Sequence, residues 1–299
     1  MTQNRLAWPQ KWGLRFRAET CRGCVMKRVL LAVASLVAFS LGNAPVSAAA
    51  DWPANVRAVY EINFNGFNVG SFEFLSQSEE ESYTLAGSAQ LSLLLGAFKW
   101  IGETRSFGLI SNPMPKPAAF TFDFKANSKA GSTKMDFADG VVADIKHVPP
   151  PEPRPGSVPL RQQHLRGVLD PLSAIMVVAR ATANPCDRRL PIFDGKERFD
   201  LVLSYKGQTK VNEQQPSGQP PIAHVCRVKY HPIAGHKVDT ENSFLATTDG
   251  IEVALRPIPS ANVLIPYQIT IPTMVGYATI TSKRVEIETP GQPQIALLH

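Results

Sequence analysis

The sequence predicts an all-β protein: a mostly antiparallel, curved sheet forming an open β-barrel or a sandwich, with one main α-helix at about residues 169–183. Three observations carry this. Ten or more short segments alternate apolar and polar side chains with period two, as half-buried strands do. Turn dipeptides such as Asn65-Gly66, Asp139-Gly140 and Asp249-Gly250 separate them. A helical period stands out once, after Asp170.

Before the strands comes an address. Met26 to Ala50 has Lys27 and Arg28, then an apolar run from Val29 to Leu41, then the small-residue zone Pro45 to Ala50, in the order of a secretory signal peptide. The run is 13 residues long, short of the ~20 that cross a bilayer, and no later segment approaches that length without charge. Cleavage is expected near Ala49 or Asp51, giving a soluble, periplasmic protein that does not span the membrane. With no cysteine in the cleavage zone, a lipid anchor is not expected. Residues 1–25 show no apolar period and read as an extension upstream of a true start at Met26, which sets aside the Cys21/Cys24 pair.

Removing the leader changes the charge and cysteine arithmetic. The chain has 31 basic and 25 acidic side chains, of which seven and one fall in residues 1–50, so residues 51–299 hold 24 of each. A neutral chain lacks the basic footprint of a nucleic-acid binder. Two cysteines remain, Cys186 and Cys226. In an oxidising compartment such a pair is expected to form a disulfide, the alternative being two free buried thiols.

The elements follow in order. Val56, Ala58, Tyr60, Ile62 and Phe64 alternate up to Asn65-Gly66, and Gly70, Phe72 and Phe74 return as an antiparallel partner. Leu91 to Trp100 is too continuously apolar for a half-exposed strand. It is either a buried strand or short helix, or the lining of an apolar cavity. Phe120, Phe122 and Phe124 share one face of the next strand; Met135 and Phe137 lead into Asp139-Gly140, and Val141 to Val148 returns. Pro149 to Gly156 (PPPEPRPG) cannot enter a central strand. A single β-rich domain over residues 51–299 with a Pro-rich crossover at 149–159 is preferred to two domains, because the β pattern is alike on both sides.

For the helix, Asp170 caps, Pro171 suits the first turn, Leu172, Ile175, Met176 and Ala179 form the apolar stripe, and Asn184-Pro185 stops it. Its stripe needs a sheet face. Strands are expected again at Phe199 to Tyr205, Ala223 to Tyr230, Ser243 to Thr248, Ile251 to Leu255, Val263 to Ile271 and Met274 to Ile287, with Asn212 to Pro221 a long hairpin tip.

Catalytic motifs are lacking. There is no Gly-x-Ser-x-Gly elbow, no HExxH and no phosphate-cradling glycine loop. Ser173 has no evident base, and Asp123, Asp136 and Asp200 are expected to face solvent. His224, His231, His236 and Asp239 are close in sequence, yet His231-Pro232 and Gly235-His236 look like turns that keep the rings apart, so no metal or cofactor is predicted. The residues proposed to line an apolar site are Leu93, Leu95, Phe98, Trp100, Phe120, Phe122 and Phe124.

The hairpin Tyr60-Glu-Ile-Asn-Phe-Asn-Gly-Phe-Asn-Val-Gly70, the helix start Leu169-Asp-Pro-Leu-Ser173, Phe193-Asp-Gly-x-x-Arg-Phe-Asp200 and Cys226-x-Val-x-Tyr-x-Pro-Ile-Ala-Gly-His236 together resemble a bacterial family catalogued as domain of unknown function 3108. The last of these looks like the version in alphaproteobacterial members. The resemblance covers nearly all of residues 51–299; it implies an exported, β-rich protein without assigned activity, and no catalytic residue is carried over. At fold level the pattern is also similar to the unclosed β-barrels of periplasmic lipoprotein carriers, where a curved sheet holds acyl chains under a helical lid, a likeness that fixes no function. The expectation is a non-enzymatic binding protein of the cell envelope for a lipid-like ligand. The alternatives are a structural or assembly factor for an envelope protein and, behind it, a hydrolase.

Overall fold

A computed structural model describes residues 52–79, 81–93, 96–111, 114–152 and 155–299. The extension, the signal peptide, Cys21, Cys24 and Leu95 lie outside these residues. The strands are β1 (Asn55–Phe64), β2 (Phe67–Glu79), β3 (Ser82–Leu93), β4 (Phe98–Leu109), β5 (Lys116–Ala126), β6 (Lys129–Ala138), β7 (Val141–Val148), β8 (Arg188–Phe193), β9 (Arg198–Lys210), β10 (Ile222–Ala234), β11 (Glu252–Ile258), β12 (Val263–Thr273), β13 (Gly276–Glu288) and β14 (Ile295–Leu298); the helices are α1 (Pro171–Ala179) and α2 (Thr240–Thr247).

All these strands belong to one sheet, every pairing of which is antiparallel, so the architecture is an open barrel and not a sandwich. Two meanders, β1–β7 and β8–β13, join where β1 pairs with β13, leaving β7 and β8 as the edges and β14 against β13. The edges do not pair with each other. The crossover between them lies in the gap: Arg166 bridges Val141 on β7, and Leu169 bridges Ile192 on β8. Each edge thereby satisfies part of its open backbone.

Local chemistry explains the turns. Asn65 and Gly66 both take positive φ (49° and 84°), as do Asp139 and Gly140 (50° and 73°), the conformation a two-residue hairpin with matching twist requires. Inside the first meander, two glycines make room for rings. A Cβ at Gly102 would lie 2.2 Å from the Trp100 ring, and one at Gly108 would lie 2.5 Å from the Tyr83 hydroxyl.

Several expectations are corrected. Leu91 to Trp100 is not one buried strand: Leu91–Leu93 end β3, Gly96 turns at φ 90°, and Phe98–Trp100 begin β4. The segment from Ser243 to Thr248 is not a strand. It belongs to α2, because Asp239 caps this stretch by accepting the Asn242 N–H at 2.9 Å. The main helix ends at Ala179 and not near 183: Arg180 turns extended and bridges Val263. Asp200 does not face solvent; it is buried and paired with Arg198 (2.6 Å) and Arg189 (2.5 Å). The Cys186–Cys226 bond is present, tying the segment after α1 to β10 across 40 residues, with both side chains buried.

At the other end of the second meander, β14 brings His299 onto Arg256. Arg256 is completely buried and donates to Glu213 (2.6 Å), Ser217 (3.1 Å), the Pro220 carbonyl (3.2 Å) and His299 Nε2 (2.7 Å). An Nε2 that accepts from a guanidinium leaves the imidazole proton on Nδ1, which faces Ser282 Oγ at 3.0 Å. Burial first, and the Arg256 charge second, push His299 down to about 4.

Two outcomes follow from these contacts. Replacing both Cys186 and Cys226 by alanine should lower unfolding free energy by roughly 4 kcal/mol on the loop-entropy argument, read by urea denaturation. For His299 the unfolded chain is the better proton binder, so its contribution is intact above the ordinary imidazole value of 6.5 and is lost as pH falls toward about 4. The wild type should therefore lose stability across that window, and His299→Gln should flatten the loss in urea titrations at several pH values.

Candidate functional site: an apolar cavity between two helices

The site is built on α1, which is held at both ends. At its start the Asp170 carboxylate accepts the backbone N–H groups of Leu172 (2.9 Å) and Ser173 (3.0 Å) and the hydroxyls of Ser173 (2.5 Å) and Ser106 (2.9 Å). Tyr83 closes the cluster with a 2.7 Å bond to Ser173. All four residues are buried. Burial pushes Asp170 above the usual carboxylate range, while the hydrogen bonds from Ser173, Ser106 and Leu172 oppose it. Ser173 thus has a carboxylate partner that its sequence context does not reveal, but both groups are sealed in the core. At the far end, Arg188 donates to the carbonyls of Val177 in the last turn, of Arg180 just after it and of Pro185 beyond.

So fixed, α1 contacts β3, β4, β8 and β12. Leu172, Met176 and Ala179 enter the main core with Phe120, Met135 and Phe193. Pro171, Ala174, Ile175 and Val178 face a cavity of about 390 Å³. Opposite them stand Leu190 and Ile192 of β8, Phe199, Leu201 and Leu203 of β9, and Val228 and Tyr230 of β10. Val253 of β11, Pro266, Ile269 and Ile271 of β12, and Ile251 complete the wall.

The second helix covers a gap in the sheet. β11 pairs with β10 only over His224–Arg227, and α2 packs instead against the later part of β10 and against β12. It contributes Leu245 to the cavity and has no buried residue. Lys229 holds its end by donating to the carbonyls of Thr247 (3.2 Å) and Thr248 (3.3 Å) and to Asp249 (3.2 Å), a cation at a helix C-terminus. Much of the lining, including Ile175, Phe199, Leu201 and Ile269, is only half-buried, so the cavity reaches solvent.

Chemically the lining is uniform. Tyr230 alone among these residues carries a titratable group, and burial, with the nearby charges of Glu197, Asp194 and Asp239, pushes it up to about 12. Such a wall offers apolar contact and no paired acid and base. Among the described residues no group of three or more His, Cys, Asp or Glu side chains converges. His224 sits beside Tyr205 with ring centroids 6.5 Å apart, His231 is exposed and His236 is buried.

The structure places the residues nominated from sequence elsewhere. Trp100, Phe122 and Phe124 do meet, with centroids 6.3 Å and 6.0 Å apart, and Phe120 is buried in the main core. Leu93 and Phe98 flank the β3–β4 turn, half-buried. None of these lines the 390 Å³ cavity, which belongs to the second meander. The signal for that wall is the alternation of Phe199, Leu201 and Leu203, visible in the sequence; that α1 and β12 converge on it is not.

A family model described as a protein of unknown function (DUF3108) matches residues 59–282. The chain belongs to this family. No curated protein matches this DUF3108 chain. Among solved structures it is similar to the beta-barrel-like protein of domain of unknown function DUF1849 from Brucella abortus, with 11% identity, a TM-score of 0.46, and coverage of 79% of this chain and 98% of that one.

Replacing Asp170 by alanine leaves the Leu172 and Ser173 N–H groups without their acceptor, while the Tyr83, Ser106 and Ser173 hydroxyls still bond to one another, and should cost about 2–6 kcal/mol, since each buried donor left open costs ~1–3 kcal/mol. Asp170→Asn keeps an acceptor for the backbone N–H groups without the buried charge and should cost distinctly less. Thermal and urea denaturation of the two variants side by side checks the order.

Proposed function

We propose that the protein is an exported, non-enzymatic binding protein of the bacterial cell envelope that holds an acyl-chain-like ligand in the cavity between α1 and the second meander. The carrying observation is the lining: side chains from α1, α2 and five strands converge on about 390 Å³ with almost no polar group among them. A cavity of this chemistry repels water and gains by taking apolar atoms. At the ~30 Å³ that a water-sized group occupies in a liquid, the volume suits about 13 such groups, the scale of a medium acyl chain. Because the mouth is open, a polar head can stay in water.

Export is supported by the leader-like Met26 to Ala50 and by the Cys186–Cys226 bond, which suits an oxidising compartment such as the periplasm. No helix among the described residues is long and apolar enough to cross a membrane. Binding is preferred to catalysis because Tyr230 alone in the lining carries a titratable group.

Filling the cavity should abolish binding without unfolding the barrel. A fluorescent fatty acid is expected to bind the wild type and be displaced by unlabelled fatty acids, and Leu201→Trp or Ile175→Trp should weaken it by tenfold or more while circular dichroism stays unchanged. Native mass spectrometry with organic extraction then identifies the natural occupant. Absence of probe binding, or binding indifferent to both substitutions, overturns the reading and favours an envelope protein as the partner.

A further inference from the structure

Two hairpins next to the cavity expose apolar side chains where turn chemistry asks for polar ones. The β12–β13 turn is Met274-Val275, 57% and 77% exposed, followed by Tyr277 at 49%; beside it, Phe67 after the β1–β2 turn is 77% exposed. Turns at water-facing tips favour Gly, Asn, Asp and Ser. This cluster is also not a pair of loose ends. The Asn65 N–H donates to the Tyr277 carbonyl (2.9 Å), the Tyr277 N–H donates to Asn65 Oδ1 (2.9 Å), and Asn65 Nδ2 donates to the Val275 carbonyl (3.2 Å). Gly276, at φ 142°, permits that lock: a Cβ there would lie 1.9 Å from Asn65 Oδ1. The two tips therefore act as one rigid, greasy prow.

Strand register carries the same end of the barrel round the first meander. Ile62 lies opposite Gly70, Gly70 opposite Leu91, Leu91 opposite Trp100, Trp100 opposite Ala126 and Ala126 opposite Lys129. The first-meander tips met there are basic, whereas the second meander's tips at this end carry Asp194 and Glu197 between β8 and β9 and Asp239, Glu241 and Asp249 around α2. Lys99, Lys125 and Lys129 are exposed, no acidic residue lies in 96–101 or 124–131, and the two tips are tied by the Asn127 side chain accepting the Lys99 N–H at 3.0 Å. In the other direction β12 runs from the prow into the cavity wall: Ile269 and Ile271 line the cavity, and Met274 stands three residues beyond Ile271.

We propose that the rim running from the β12–β13 turn round the first meander docks on an anionic phospholipid bilayer, with Phe67, Met274, Val275 and Tyr277 entering the acyl region and Lys99, Lys125 and Lys129 meeting the headgroups, while the acidic second-meander tips stay in water. The inference rests on the cavity reading for what passes along β12, and adds where the ligand is exchanged. Separate side chains projecting from turn tips, with lysines on the neighbouring tips, match interfacial insertion. The prow and the cavity wall share β12, so docking places the cavity beside the bilayer.

The test compares the protein, purified as the cell makes it, with Phe67→Asp/Val275→Asp and with Lys99→Gln/Lys125→Gln/Lys129→Gln. Each is sedimented with vesicles of phosphatidylethanolamine and phosphatidylglycerol, and with vesicles of phosphatidylcholine. The wild type should bind the anionic vesicles with a salt-sensitive affinity, the aspartate variant should lose at least tenfold in partition, and the glutamine variant should lose the salt sensitivity. Fatty-acid probe binding in solution should survive in both variants, because neither touches the cavity lining. Failure of the cavity reading would show as no probe binding in any of the three. The docking proposal is overturned if the wild type ignores anionic vesicles, or if the aspartate variant binds them equally well. It is overturned too if a photo-crosslinker at position 275 captures an envelope protein while vesicles are ignored.

Discussion

The buried Asp170 carboxylate organises more of this molecule than any other single group. A carboxylate out of water is costly unless donors surround it, and here two backbone N–H groups and two hydroxyls do so. Those donors come from the start of α1 and from β4, with Tyr83 of β3 behind them, so satisfying the charge clamps the crossover helix to the first meander. The same crossover bridges β7 and β8. The seat of α1 against the first meander, and with it one wall of the cavity, therefore depends on one electrostatic requirement.

The two meanders use their interiors differently, and side-chain shape explains it. In the first, rings occupy the space beside glycines: Trp100 at Gly102, Phe124 at Gly131, and Tyr83 with its hydroxyl at Gly108. A ring that takes the place of a missing side chain fills space at the strand surface itself. The second meander presents Leu190, Ile192, Leu201, Leu203, Val253 and Ile269, which line the cavity together with Ala174, Ile175 and Val178 of α1. Aliphatic tips on a curved surface leave a void that flat rings would close.

This contrast also sets what the sequence could disclose. Asn65-Gly66, Asp139-Gly140, the Asp170-Pro171 cap and the cysteine pair act over a few residues or through a single covalent bond, and each is legible as a turn, a helix start or a crosslink. Segment 243–248 misleads because its apolar residues are compatible with a strand, and the capping carboxylate of Asp239 decides for a helix. Asp200 looks exposed because nothing local announces that Arg189 and Arg198 will bracket it. The aromatic run around Trp100 is legible because large rings stand out in a sequence, and it lies in the first meander, apart from the 390 Å³ cavity. The cavity is instead a product of closure, made by Ile175, Leu201 and Ile269, whose proximity depends on the β1–β13 junction and the crossover together.

The walls of the cavity differ in how firmly they are held. On one side α1 is fixed by Asp170 at its start and Arg188 at its end, and the disulfide anchors the chain just beyond it to β10. On the other, α2 has no buried residue and is held by an exposed cap at Asp239 and by Lys229 at its last carbonyls. Elements with little buried apolar area open at low free energy, while doubly anchored ones open only with the whole fold. Any widening of the cavity is thus biased toward the gap between β10 and β12. That is the side on which β12 leads to the exposed tips Met274 and Val275, so the soft wall lies next to those tips.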